Sequence, residues 1–168
     1  MSDPSRTLVL GLGNPLMGDD GLGLVALQSL REEWELPETI DLVDGGTWGM
    51  NLLPLIEDAR ELLLLDAIRH GAAPGTLVVL GRAGLPRYFA HKISPHQIDL
   101  KEVLGLAELR GRLPARASAV GLEPERVELG LELSATLAER VGDVTRAAAH
   151  ILQRWGHRCE RRVLTGHA

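Results

Sequence analysis

Four aspartates and one histidine are the residues of this chain whose types and positions could do chemistry. Asp19 and Asp20 lie in the stretch GLGNPLMGDDGLG, residues 11 to 23, shortly after the apolar run TLVL. Asp44 opens the triplet Asp44-Gly45-Gly46, Asp66 interrupts the apolar run LLLLDAI, and His96 lies in KISPHQ. Asp20, Asp44 and Asp66 each follow or end a strand-like run, and open α/β sheets place their sites beyond the carboxyl ends of strands. These three carboxylates are therefore expected to converge on one rim, with His96 in an irregular segment folded over it. Asp20, Asp66 and His96 suit a divalent transition metal, and three protein ligands leave coordination positions open.

Plainer roles stand beside that one. Asp20 has the position of a first-turn acid that stabilises its helix through the dipole. Asp66 has the position of a strand-end cap, although a carboxylate within an apolar strand is costly unless paired or coordinated. His96 alone reads as a loop histidine. The glycine turn also invites a dinucleotide, with Asp44 where a ribose-binding acid belongs. The fingerprint fails at its third glycine, which is Leu16, and Asp19 and Asp20 would repel a pyrophosphate at a helix N-terminus. No GK[ST], GxSxG or HExxH motif is present.

The elements that must position these residues alternate between strand and helix. Thr7–Leu12, Thr39–Val43, Leu62–Ile68, Thr76–Leu80 and Ala115–Leu122 read as strands. Helical spacing runs from Asp20 to about Trp34, briefly over Leu52–Ile56, over Leu100–Leu109, and finally over Leu137–Trp155 with Ser134 as its N-cap. Residues 83–98, with prolines at 86 and 95, read as irregular. The alternation predicts one α/β domain with a mostly parallel sheet of about five strands, helices on both faces. That domain spans 7–155, between a disordered N-terminus over 1–6 and a flexible polar tail over 156–168.

Bulk properties narrow the function further. A net charge of −5 and an aromatic content of 3% argue against nucleic acid and anionic membranes as partners. Cys159 is the single cysteine, so no intramolecular disulfide can form and a reducing compartment is expected. MSDPSRTLVL lacks the pattern of a signal peptide, and Leu62–Leu65 is too short to span a bilayer. A soluble cytoplasmic protein is expected.

Taken together, GLGNPLMGDDGLG, DGGTWGMNLL, LLLLDAI with APGTLVVL, and KISPHQIDLKEVL resemble the hydrogenase maturation proteases. The resemblance runs from about Thr7 to Trp155, with the motifs in order. It implies a three-layer α/β fold and an aspartic-type endopeptidase that removes the C-terminal extension of the nickel–iron hydrogenase large-subunit precursor once nickel is inserted. It places the metal-contacting and catalytic residues on Asp20, Asp66 and His96, and precursor recognition on Asp44, Gly45 and Gly46. Orienting the attacking water is left open between Asp19, which could also support the site acids from behind, and Asp44. The nickel would be supplied by the precursor, with no organic cofactor, and the protein would act as a monomer. A non-cleaving, nickel-dependent chaperone for the precursor would use the same residues.

Overall fold

The computed structural model describes residues 6–46, 49–90 and 98–163, without the side chains of 49–50 and 98–101. Five strands form the main sheet: β1 (Thr7–Gly11), β3 (Ile40–Asp44), β4 (Glu61–Ala67), β5 (Leu77–Leu80) and β6 (Arg116–Leu122). Their order is β3-β1-β4-β6-β5. All neighbours are parallel except the edge pair β5 and β6. A short antiparallel pair, β2 (Trp34–Glu35) with β7 (Glu160–Arg161), lies outside this sheet. The expected mostly parallel five-stranded sheet is the one observed.

Sequence alternation sorts the side chains into two cores. Leu8, Leu10, Leu62 and Leu64 face α2 (Leu53–Asp58), α3 (Leu85–Ala90) and α4 (Ile98–Leu109), packing with Ile56, Tyr88 and Leu104. Val9, Leu63 and Leu65 face α1 (Leu22–Glu33) and α6 (Val141–Arg154), packing with Ala26, Leu30, Val144 and Ala148. The run Leu62–Leu65 is apolar throughout because β4 is covered on both faces.

The close approach of α1 to the sheet depends on Gly23. A Cβ there would lie 2.1 Å from the Leu65 carbonyl oxygen and 2.3 Å from that of Leu12. The glycine that lets helix and strand pack closely is thus within the helix, ten residues beyond the failed fingerprint's second glycine, Gly13.

Three local expectations differ from the structure. Part of the segment read as irregular forms α3, with Pro86 at its second position, where the missing N–H is no loss. The long final helix is divided into α5 (Ala135–Ala138) and α6, and Ser134 caps α5, its hydroxyl accepting from Leu137 N. The tail expected to fray packs back onto the body over residues 157–162. His157 Nε2 lies 2.5 Å from Glu61 Oε2 and 3.0 Å from Thr7 Oγ1, Cys159 is buried, and Arg162 N donates to Glu33 O. Its polar composition hid these contacts, because His157 and Cys159 find their partners far away in sequence.

Candidate functional site

The carboxyl ends of β3, β1 and β4 lie side by side, with Gly11 in register with both Asp44 and Leu65. Asp44 and Asp66 therefore flank the point where the chain leaves β1 and enters the glycine turn. The turn ends in a 3-10 segment, Gly18–Gly21, that carries Asp19 and Asp20 into α1. The expected convergence of strand-end acids on one rim follows from this register.

Asp20 and Asp66 are both fully buried. The Asp20 carboxylate accepts from the backbone N–H of Asn14 at 3.0 Å. The Asp66 carboxylate accepts a short hydrogen bond from the Tyr88 hydroxyl. Tyr88 is pushed well above the usual tyrosine range by burial first, then by the charge and hydrogen bond of Asp66, and also by the charge of Asp20. The phenol consequently stays protonated and remains a donor. Asp66 engages this hydroxyl directly, and the Asp20 charge is near enough to be felt there.

Tyr88 is the site residue that sequence reasoning missed. It lies in the stretch read as irregular, and its only available signal was a phenol at helical spacing from Leu85. Once α3 is recognised, Leu85, Tyr88 and Phe89 form its buried face, and the hydroxyl needs a polar partner there.

His96 lies outside the described residues. Among the described residues, no three His, Cys, Asp or Glu side chains gather to hold a metal. Asp20 and Asp66 are the carboxylates at this rim that could offer oxygen donors to a cation.

Asp44 differs in environment from the two buried acids. It is exposed, and its Oδ1 accepts from Gly46 N at 2.8 Å, folding the DGG triplet into a tight turn. Gly45 N donates to Gly11 O at 2.9 Å. A Cβ on Gly46 would lie 3.1 Å from Gly13 O, so this turn rests directly against the glycine turn. It is an accessible edge beside the buried acids.

Asp19 has a definite structural role. Its carboxylate accepts from the backbone N–H groups of Glu125 (2.9 Å), Arg126 (2.9 Å) and Ser134 (2.7 Å), and from the Ser134 hydroxyl (2.9 Å). These four donors surround a fully buried carboxylate. Its partners lie in the loop after β6, so the geometry binds that loop to the glycine turn and gives Asp19 no water-orienting position.

The turn also lacks a cradle for phosphate. From Asn14 to Asp20 its N–H groups are already engaged: Asn14 with Asp20, Leu16 with the Asn14 side chain, Met17 with Asn14 O, Gly18 with Gly130 O, Asp19 with Arg126 O, and Asp20 with Met17 O. A phosphate-binding turn needs such donors directed outward. The dinucleotide reading fails on this geometry.

A family model described as hydrogenase maturation protease matches residues 25–151. The hydrogenase expression/formation protein HupD of Rhodobacter capsulatus is 37% identical over 155 residues, which cover 91% of this chain and 74% of that protein. The hydrogenase 2 maturation protease of Escherichia coli is 38% identical over 133 residues, 79% of this chain and 81% of that one. Among solved structures, the hydrogenase maturating endopeptidase HybD from E. coli has a TM-score of 0.86 at 34% identity, covering 94% of this chain and 98% of that chain.

Proposed function

The chain belongs to the hydrogenase maturation protease family, and from that membership we propose that it removes the C-terminal extension of a nickel-loaded nickel–iron hydrogenase large-subunit precursor. It is an endopeptidase of hydrogenase maturation. The observation that carries the site assignment is the pair of buried carboxylates, Asp20 and Asp66, acting on one phenol at the carboxyl rim. Two fully buried carboxylates at one rim offer the hard oxygen donors that a divalent cation takes.

In this reading Asp20, Asp66 and His96 contact the nickel carried by the precursor, making the metal part of substrate recognition. Bound nickel supplies a Lewis acid beside the scissile peptide. Asp20 and Asp66 hold the metal-bearing segment, and a carboxylate accepts the proton of the attacking water as general base. Tyr88 holds the Asp66 carboxylate in one orientation. The exposed turn at Asp44, Gly45 and Gly46 meets the precursor beside the scissile segment and matches protease to substrate.

The enzyme works as a monomer in the cytoplasm with no organic cofactor. No helix among the described residues is long and apolar enough to cross a membrane. Single alanine substitutions at Asp20, Asp66 and His96 test the site. Each is expected to abolish processing of nickel-loaded precursor while the far-ultraviolet circular dichroism spectrum is retained. Processing at the wild-type rate by any of the three would remove that residue from the site.

A further inference from the structure

The loop that Asp19 holds carries an unusual surface. Leu129 and Leu131 are 84% and 80% exposed, and Leu16, on the turn whose backbone pairs with Gly130, is 54% exposed. Gly130 N donates to Leu16 O and Gly18 N donates to Gly130 O, forming a bridge that sets the leucines beside the glycine turn. A groove of about 420 Å³ runs along the loop, lined by Gly18, Arg126, Glu128, Leu129, Leu131 and Glu132 among others.

Exposed leucines on a loose loop would mean little. These sit on a loop fixed by a buried carboxylate with four hydrogen bonds. A rigid apolar tip loses little conformational entropy on binding, as a docking surface requires. A contiguous apolar patch with a polar rim is the usual mark of a protein contact. Its rim is acidic: Glu125, Glu128 and Glu132 are exposed against one basic group, Arg126. The loop is also bridged to the turn that carries the site acid, since Gly130 bonds to Leu16 and Gly18 and Asp20 lies two residues beyond Gly18.

We propose that the Leu16–Leu129–Leu131 patch docks an apolar, basic-flanked surface of the hydrogenase large-subunit precursor, and so presents its C-terminal segment to Asp20 and Asp66. The proposal rests on the function inferred above. Leucines 129 and 131 then fill an apolar depression on the precursor while Glu128 and Glu132 face its basic groups. In this arrangement Asp19 acts on the substrate through the loop it holds.

The test compares wild type with the Leu129→Ser/Leu131→Ser variant on nickel-loaded precursor. Leu109→Ser is the control, because Leu109 is 88% exposed at the end of α4 that leads into the start of β6, away from the rim. The double variant is expected to raise KM roughly tenfold or more while kcat stays within about twofold, and the control to match wild type. Leu16→Ser serves as a second variant should the double variant lose its circular dichroism spectrum. Unchanged KM in the folded variants overturns docking but leaves the protease assignment standing. So does a wild-type protein that dimerises through this patch, read by light scattering. Wild type that fails to cleave defeats the function instead, and calorimetric titration of the same precursor still decides docking. Binding weakened roughly tenfold by the double variant supports it, and equal binding or none overturns it.

Discussion

Asp66 and Tyr88 show how one hydroxyl governs a site. Tyr88 is buried, donates to Asp66, and is held protonated by burial and by two carboxylates. Tyr88→Phe keeps the ring in its core and removes only the donor. If Asp66 contacts the metal as proposed, loss of its orienting hydrogen bond is expected to lower processing about 10- to 100-fold, with the folded spectrum retained. A kinetic assay on nickel-loaded precursor checks this. Asp19 gives a different outcome, because its effect is on stability first. Asp19→Ala leaves three backbone N–H groups and the Ser134 hydroxyl without their acceptor. We expect a loss of about 2–4 kcal/mol in urea unfolding, judged from the cost of orphaning buried donors to a charged group. Opposite signatures are therefore predicted for the adjacent aspartates, with Asp20→Ala losing processing and Asp19→Ala losing stability. Sequence placed both acids at the right turn but could not separate them, since the partners of Asp19 are more than 100 residues away.

At the level of elements, the alternating strands and helices were legible because the apolar runs are short, β-rich and bounded by glycine or proline. The covered face of β4 was readable from LLLL itself. The antiparallel direction of β5 was not, since pairing direction leaves no mark in so short a strand. Helix α3 was hidden by Pro86, which reads as a breaker unless it falls in a first turn. Close packing at the rim makes a sharp demand here. A Cβ on Gly121 would lie 1.8 Å from the Asp66 carbonyl oxygen. Gly23→Ala sets two effects against each other. Alanine favours a helix by about 1 kcal/mol over glycine. The backbone contact at 2.1 Å cannot yield without moving α1 off the sheet. We expect the clash to win, with a net loss of about 2 kcal/mol or more and a matching fall in Tm. A gain in stability would show that α1 sits farther from β1 than described.

Across the whole molecule, the two ends of the sheet do different work. The carboxyl end holds the acids and the pinned loop. The amino end holds Glu61, buried, accepting from Thr7 Oγ1 and Arg116 and paired with His157 of the tail. Burial raises the Glu61 pKa, but the hydrogen bonds from His157, Thr7 and Arg116 and the His157 charge outweigh it, so it lies below the usual glutamate value of 4.5. A depressed carboxylate contributes stability that is fully present above its unfolded value and is lost as pH falls through the folded one. Stability should therefore drop on acidification below about pH 4.5, and Glu61→Gln should flatten that part of the urea-midpoint profile. Burial pushes the Cys159 thiol up to about 11, so slow labelling at neutral pH should report release of the tail. The central claim concerns the other end of the sheet. Intact mass of a nickel-loaded large-subunit precursor, taken before and after incubation with this protein, tests it most directly. We predict loss of a C-terminal segment, and no loss from precursor prepared without nickel. An unchanged mass for the nickel-loaded precursor would contradict the account.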